Sequence, residues 1–166
     1  MSPHRTTALR FDARHIRLDC RAEDWGDAVR QAGGLLNELG VTAPAYTQRM
    51  VDVVRAFGPY IVVAEGAALA HARPGRDVRE NGAVLLTFPE GVRFGHPDND
   101  PVRVVIAVAV TEADAHVAVV AAVANLLDEH EAAERILRGR DPETMADRIA
   151  ERLGAFVRVE RGAADR

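Results

Sequence analysis

The sequence predicts an α/β fold, in which a single three-layer domain holds a mixed β-sheet flanked by helices. The middle of the chain, residues 60–110, is rich in short β-branched and apolar runs, whereas the segments on both sides have helical periodicity. A chain of 166 residues, 48% hydrophobic and 28% charged, is typical of one globular domain with a sizeable core. No internal repeat or low-complexity linker divides it.

Two helices are predicted ahead of the strands. Over residues 24–39, apolar side chains fall on one face at helical spacing, and Gly40 follows as a helix stop. Pro44 suits the first turn of a second helix. Its buried face is expected to run from Tyr46 to Phe57, because the apolar residues between them also repeat at helical spacing.

Four strands are predicted next. They cover residues 60–64, 67–73, 83–88 and 102–110. The last of them is apolar almost throughout. A run of that kind is typical of a strand at the centre of a sheet, buried on both faces.

Three helices are predicted after the strands. The first, over residues 113–128, is apolar nearly all round and is therefore expected to be buried against the sheet. A shorter helix covers residues 130–138. Asp141 then caps a last helix that begins with Pro142 and repeats apolar side chains every fourth residue.

The ends of the chain are charged and poorly patterned. Residues 1–20 and 155–166 are expected to be tails, which leaves residues 21–154 as the domain. Within these tails the sequence favours short strands at 16–18 and 156–159.

Composition argues against several classes of protein. The net charge of -4, with no basic run, argues against a nucleic-acid binder. The N-terminus lacks the apolar stretch of a signal peptide, and the apolar runs are too short to span a membrane, so a cytoplasmic location is expected. The single cysteine, Cys20, excludes an internal disulfide framework and is interpreted as an incidental thiol.

The main functional hypothesis concerns His71. In a strand over residues 67–73, His71 and Arg73 would point to the same face, because side chains alternate. A neutral imidazole can act as a nucleophile that accepts a phosphoryl group, and the guanidinium could hold the phosphoryl oxygens. The alternative is an edge-strand histidine beside a solvated arginine.

His116 is the second candidate. The spacing of Thr111 and Asp114 matches a capping box, which would place His116 in the first turn of a helix. Helix N-termini bind anions and disfavour a protonated imidazole, so this histidine is expected to be neutral. The alternative is a histidine that only packs near the helix start.

A metal site is a competing hypothesis. His71, His96 and His116, with Asp98 or Asp100, could serve a metal-dependent hydrolase. However, their spacing matches no known metal motif, and two aspartates in a turn rich in Gly, Pro and Asn are typical turn formers. No metal is therefore expected.

Several short segments of the chain stand out when taken in order. They are Gly58-Pro59-Tyr60-Ile61-Val62, Gly66-Ala67-Ala68-Leu69-Ala70-His71, Phe94-Gly95, Asn99-Asp100-Pro101-Val102, Asp114-x-His116 and Asn125-Leu126-Leu127. Together they resemble the enzyme IIA family of the bacterial sugar phosphotransferase system, of the fructose–mannitol type and above all its ascorbate branch. The resemblance covers residues 21–152.

The resemblance implies a phosphotransferase component that works through a phosphohistidine without a metal or organic cofactor. His71 would accept the phosphoryl group from the histidine phosphocarrier protein and pass it to an enzyme IIB partner, which serves sugar uptake through membrane enzyme IIC. His116 would support the acceptor, and Arg73 and Arg55 would bind phosphate. The apolar residues 67–72 are expected to surround the docking face. The sugar, and whether two copies form a homodimer, stay open.

One position departs from the family pattern. Ala70 stands where the family usually has proline, which would fix the backbone just before the nucleophile. This puts the efficiency of transfer in question, without removing a chemical group. A regulatory enzyme IIA-like protein, whose phosphorylation state controls a partner rather than transport, is the alternative function.

Overall fold

The computed structural model describes residues 8–158. Its strands are β1 (Leu9–Arg10), β2 (Ile16–Arg17), β3 (Val62–Ala64), β4 (Ala67–Ala70), β5 (Gly82–Val92), β6 (Val102–Ala109) and β7 (Val157–Arg158). Its α-helices are α1 (Trp25–Glu38), α2 (Pro44–Phe57), α3 (Ala113–Leu127), α4 (Ala132–Arg138) and α5 (Pro142–Leu153).

The strands form one mixed sheet in the order β3-β4-β6-β5-β1-β7, with β2 also paired to β5. β6 runs parallel to β4 and antiparallel to β5, so both of its edges are hydrogen-bonded. Every residue of β6 is buried except Arg103, which is partly exposed. The predicted central strand is therefore confirmed, because a strand covered on both faces tolerates few polar side chains.

Two apolar clusters lie on opposite faces of this sheet. Side chains alternate along β6, so Val105 packs towards α1 and α2, whereas Ile106 packs towards α3 and α5. The first cluster also includes Leu36 of α1 and Met50 of α2, and the second cluster includes Val119 of α3. This arrangement confirms the predicted single α/β domain with a mixed sheet between helical layers.

Helices α1 and α2 approach closely at Gly33. A Cβ atom at Gly33 would lie 2.7 Å from Cβ of Thr47 in α2 and 2.5 Å from its Cγ2, whereas a Cβ at Gly34 would meet nothing within 4 Å. The two adjacent glycines, which the sequence pattern does not distinguish, therefore have different roles. Only Gly33 is required by packing.

Substitution of these glycines by alanine is expected to have opposite effects on stability. Gly33→Ala is expected to lower the free energy of unfolding by about 1–2 kcal/mol, because the methyl group forces α1 away from α2. Gly34→Ala is expected to raise it by about 0.5–1 kcal/mol through helix propensity. Denaturant unfolding of both variants measures the difference, and equal effects would contradict this packing.

The segment expected to form an N-terminal tail contributes to the sheet from residue 9 onwards. Leu9 and Phe11 are buried, and β1 pairs with β5 and with β7. β1 was not predicted, because a strand of two residues is too short to give a periodic signal. The strand expected at 16–18 stands as β2, and that at 156–159 as β7, with Val159 outside the described residues.

Three other boundaries differ from the predictions. The strand expected over 60–64 begins with a 3-10 turn and is extended only in β3. The strand expected over 67–73 ends at Ala70, because its last pair with β6 is Ala70 with Ala107. In contrast, β5 continues past residue 88 to Val92, through an irregularity in its pairing with β6.

Helix α3 is less buried than its apolar sequence predicted. Val119, Val123 and Leu127 are buried, but 69% of Val117 is exposed. An outer-layer helix contacts the sheet along one face only, so its other apolar side chains meet solvent. Within residues 8–158, no helix has the length and apolar content needed to cross a lipid bilayer.

Candidate active site

His71 is the first residue after β4, where the chain leaves the sheet. Alternation continues past the end of the strand: Leu69 packs in the cluster on the α3 side, whereas Ala70 and Ala72 pack in the cluster on the α1 side. His71 therefore lies on the same side as α3. Its side chain is only partly buried, so it can be reached from solvent.

The two ring nitrogens of His71 have different surroundings. Nδ1 lies 3.0 Å from the carbonyl oxygen of Leu69. Since a carbonyl only accepts hydrogen bonds, Nδ1 must carry the proton that is donated. In the neutral ring this leaves the lone pair on Nε2, so Nε2 is the nucleophilic atom.

His116 lies in the first turn of α3, as predicted. Its backbone N–H donates to the carbonyl oxygen of Glu112 over 2.9 Å. The predicted capping box is wrong, because the residue at the N-cap is Glu112 rather than Thr111. The Thr111 N–H instead donates to the side chain of Asn81, which holds Thr111 outside the helix.

The two histidine rings are neighbours. Their centroids lie 5.5 Å apart and their planes are tilted by 47°. Within the described residues, the buried Nδ1 of His116 has no hydrogen-bond partner. Two residues 45 positions apart in the chain are thus brought to one place by the end of β4 and the start of α3.

Both imidazoles are held in the neutral form. Burial lowers the pKa of His71 below its usual value, against the opposing effect of the Leu69 hydrogen bond. Burial also lowers the pKa of His116, and repulsion from His71, when that ring is protonated, and from Arg73 lowers it further. A neutral imidazole has the lone pair that a nucleophile needs.

A pH titration is expected to show these shifts directly. In the folded protein, the titration midpoints of the His71 and His116 rings should lie below the ordinary histidine pKa of about 6.5. They should also lie below the midpoints of the same rings in protein unfolded by urea. Because the unfolded chain then binds more protons between the two midpoints, stability should rise with pH through that window, and this contribution should be constant above and below it. Nuclear magnetic resonance titration measures both midpoints. Folded midpoints at or above the unfolded ones would contradict the burial effect.

Two exposed aromatic side chains lie beside His71. Tyr60 contacts the His71 ring edge-on, with centroids 6.2 Å apart, and Phe57 contacts Tyr60 in the same way at 6.5 Å. Phe57 is 76% exposed and Tyr60 is 48% exposed. Together with Val117, which follows His116, these side chains form what is called below the active-site surface: Phe57, Tyr60, His71, His116 and Val117.

The sequence prediction for this surface was wrong in two respects. Phe57 was expected on the buried face of α2, but it lies in the last turn of the helix and 76% of it is exposed. The apolar residues 67–70, and Ala72, were expected at the docking face but are buried in the core. Helical spacing locates a face but not the point at which the rest of the protein stops covering it.

The two arginines differ in their relation to the site. Arg73 is exposed, and its charge acts on His116. Arg55 is exposed in the last turn of α2, and no hydrogen bond, ion pair or ring contact among residues 8–158 joins it to either histidine. Arg73 thus lies near the two histidines, whereas Arg55 lies in the last turn of α2, two residues before Phe57.

The residues of the metal hypothesis have other roles. Nδ1 of His96 accepts hydrogen bonds from the backbone N–H groups of Asp98 and Asn99, at 3.1 Å each. The Asp100 carboxylate accepts from the N–H groups of Phe94 and Gly95. These contacts build a turn, and the described part of the chain holds no group of three His, Cys, Asp or Glu side chains placed to bind a metal.

Comparison with known families and proteins places this geometry in context. The family model described as "Phosphoenolpyruvate-dependent sugar phosphotransferase system, EIIA 2" matches residues 10–152. The ascorbate-specific PTS system EIIA component of Escherichia coli K12 is 37% identical over 135 residues, which cover 81% of this chain and 88% of the relative.

Two solved structures have the same fold. The crystal structure of IIA mannitol from Escherichia coli is similar with a TM-score of 0.70 and 30% identity, over 86% of this chain and 97% of that one. Enzyme IIA-mannitol in its complex with phosphorylated enzyme IIB-mannitol, also from Escherichia coli, gives a TM-score of 0.67 and 28% identity, over 87% and 98% of the two chains.

Proposed function

The chain belongs to the EIIA 2 family of the phosphoenolpyruvate-dependent sugar phosphotransferase system, and from this premise we propose that it carries a phosphoryl group on His71 between two partner proteins. The observation that carries the assignment of His71 is its Nδ1 contact with Leu69, which leaves Nε2 free to react. In the first transfer, the P–N bond of the donor's phosphohistidine breaks as the P–Nε2 bond of His71 forms. In the second transfer, this P–Nε2 bond breaks as phosphorus bonds to the nucleophile of the acceptor protein, and Nε2 regains its lone pair.

The surroundings of His71 suit such a transfer. The phosphoryl group passes in line between two nucleophiles, and the protein contributes positioning and charge stabilisation. Arg73 supplies a guanidinium close to the histidine pair, and the N-terminus of α3 directs its partial positive charge to the same place. His116 supports the acceptor as a neutral neighbour. Arg55, in the last turn of α2, is proposed as a second phosphate-binding arginine.

The proposed partners follow from the family and its relatives. The mannitol relative was solved in complex with phosphorylated enzyme IIB, which supports an enzyme IIB as the acceptor. The donor would be the histidine phosphocarrier protein, and the sugar would cross the membrane through enzyme IIC. Since the relative from Escherichia coli K12 is ascorbate-specific, an ascorbate-type enzyme IIB is proposed ahead of a mannitol-type one. The cytoplasm is the proposed location.

The active-site surface is proposed as the docking face for both partners. Phe57, Tyr60 and Val117 are the exposed large apolar side chains of the described residues. Tyr60 contacts His71, Phe57 contacts Tyr60, and Val117 follows His116 in α3. Aromatic side chains near the centre of an interface commonly dominate its energy. One shared face also means that each partner must leave before the next can bind, which favours weak complexes.

Removal of the apolar anchors is expected to weaken docking without unfolding the protein. Phe57→Ala and Val117→Ala should each raise the KM for the phosphocarrier protein by about fivefold, because a central anchor is lost. Their melting temperatures should stay close to that of the wild type, since both side chains are exposed. Glu143→Ala, on the exposed first turn of α5, is the matched surface control. An unchanged KM in both apolar variants would contradict the docking face.

Reconstitution of the phosphoryl relay tests the proposed function. Labelled phosphoenolpyruvate, enzyme I and the phosphocarrier protein should label the chain with one acid-labile phosphoryl group, which then moves to an ascorbate-type enzyme IIB. Label that enters the chain but moves to neither an ascorbate-type nor a mannitol-type enzyme IIB would favour the regulatory alternative. No labelling at all, with an active control enzyme IIA, would contradict the carrier function.

A further inference from the structure

We propose that Tyr46 is a positioning residue for phosphoryl transfer, whose buried hydroxyl fixes the backbone immediately after the accepting histidine. This inference rests on the proposed function of His71 and deepens it. Tyr46 lies in the first turn of α2, on the opposite side of the sheet from His116, and touches neither histidine ring. It would act on the reaction only through the main chain.

The Tyr46 hydroxyl joins three parts of the structure. It accepts a hydrogen bond from the N–H of Ala72 at 3.0 Å and donates one to the carbonyl oxygen of Val108 in β6 at 2.6 Å. The carbonyl oxygen of Ala72 lies 3.3 Å from the same hydroxyl. A single buried oxygen therefore ties α2, the central strand and the segment after β4 together.

The segment after β4 needs such a tie. The last pair between β4 and β6 is Ala70 with Ala107, so His71 lies beyond the sheet ladder. Its backbone is held on the N-terminal side by the ladder and on the C-terminal side by the Tyr46 contact with Ala72. Because the His71 ring is itself anchored to the carbonyl of Leu69, the direction of Nε2 follows the course of this short stretch of backbone.

Tyr46 is itself held firmly. Its side chain is fully buried, and Cζ of Arg49 lies 5.3 Å from the ring centroid. Arg49 in turn binds Asp77 through two hydrogen bonds, of 2.6 and 2.8 Å. Burial raises the pKa of Tyr46 to about 12, so the hydroxyl keeps the proton that it donates to Val108.

The expected effect of this tie is on the rate of transfer. Reacting atoms must approach to about 3–3.5 Å in line, and a misplacement of about 1 Å can cost a hundredfold in rate. Without the hydroxyl, Ala72 loses its acceptor and the backbone at His71 can shift by a fraction of that distance. A loss of about tenfold in the rate of phosphoryl acceptance is therefore expected.

The variant Tyr46→Phe tests this inference, because phenylalanine keeps the buried ring and removes only the hydroxyl. The turnover of phosphoryl acceptance should fall about tenfold, whereas the KM for the phosphocarrier protein should stay nearly unchanged, since Tyr46 is buried away from the docking face. The ¹⁵N chemical shifts of the His71 ring should also change, which reports on its contact with Leu69.

Thr87→Val is the matched control. The Thr87 hydroxyl is also buried and also accepts a backbone N–H, that of Asp19, at 2.9 Å, but it lies away from the histidines. This variant should lose stability without slowing the transfer. If both variants have equal transfer rates when compared well below their melting temperatures, Tyr46 is only structural and the inference is overturned.

Two further readouts keep the outcomes separate. In the wild type, the Ala72 amide should exchange with solvent as slowly as the amides of β6, and rapid exchange would overturn the inference even if Tyr46→Phe failed to fold. A wild type that accepts no phosphoryl group would instead contradict the proposed function. If the wild type accepts no phosphoryl group and its Ala72 amide exchanges slowly, Tyr46 only stabilises the structure, and its proposed role in transfer is overturned.

Discussion

The His71→Gln variant is expected to accept no detectable phosphoryl group. The glutamine amide can still donate to the carbonyl of Leu69, but its nitrogen is not a nucleophile, so no covalent intermediate can form. The loss should exceed about a thousandfold, as for other covalent nucleophiles. Label from phosphoenolpyruvate, counted after transfer through the phosphocarrier protein, measures it.

A second histidine provides the control for this variant. The His130 side chain is 94% exposed and lies after α3, away from the active-site surface. His130→Gln should therefore be labelled as fully as the wild type. If His71→Gln retains label while its fold is intact, the acceptor lies elsewhere in the chain.

The His116→Gln variant is expected to slow phosphoryl acceptance by about a hundredfold without abolishing it. The loss of a group that stabilises developing charge commonly costs a hundredfold to a thousandfold in rate. Because the rings lie 5.5 Å apart, His116 can reach the phosphoryl group on its neighbour but is not needed to form the bond. Rapid-quench measurement of label against time gives the rate.

The end point of that reaction distinguishes support from acceptance. After long incubation, His116→Gln should reach the same label per chain as the wild type, all of it on His71. A variant that never gains label would make His116 the acceptor or an obligatory intermediate. A variant with wild-type rate would remove His116 from the mechanism.

Much of the fold could be predicted because its central elements are long and strongly patterned. The apolar run of β6 predicts a strand that is buried on both faces. The helical spacing of apolar residues in α1 and α2 predicts two helices that are each buried on one face. The two-residue strand β1 carries no such pattern, and only its pairing with β5 and β7 defines it. The end of β4 is likewise set by its partner strand rather than by its own residues.

The candidate site was predicted in its residue types but not in its geometry. His71 and His116 stand out because a neutral imidazole can act as a nucleophile, and the sequence predicts one on a short strand and the other at a helix start. Their contact depends on the packing of α3 against β4, which no local pattern encodes. Phe57 and Tyr60 have the sequence pattern of core residues, but both are exposed among the described residues.

For Tyr46, in contrast, helical spacing correctly predicts that the side chain is buried. The spacing does not predict which groups the Tyr46 hydroxyl contacts. A tyrosine on the apolar face of a helix is typical of a core residue. Its hydroxyl, however, meets Ala72 and Val108, which lie 26 and 62 residues further along the chain. Contacts over such separations follow from the topology of the sheet and are absent from any short segment of sequence.

The most direct test of the account is to identify the phosphorylated atom. Phosphorylated protein with ¹⁵N-labelled histidine can be analysed by long-range proton–nitrogen and phosphorus magnetic resonance. The account predicts one phosphoryl group, on Nε2 of His71, with Nδ1 still protonated and bonded to Leu69. A phosphoryl group on Nδ1 of His71, on His116 or on any other residue would contradict it.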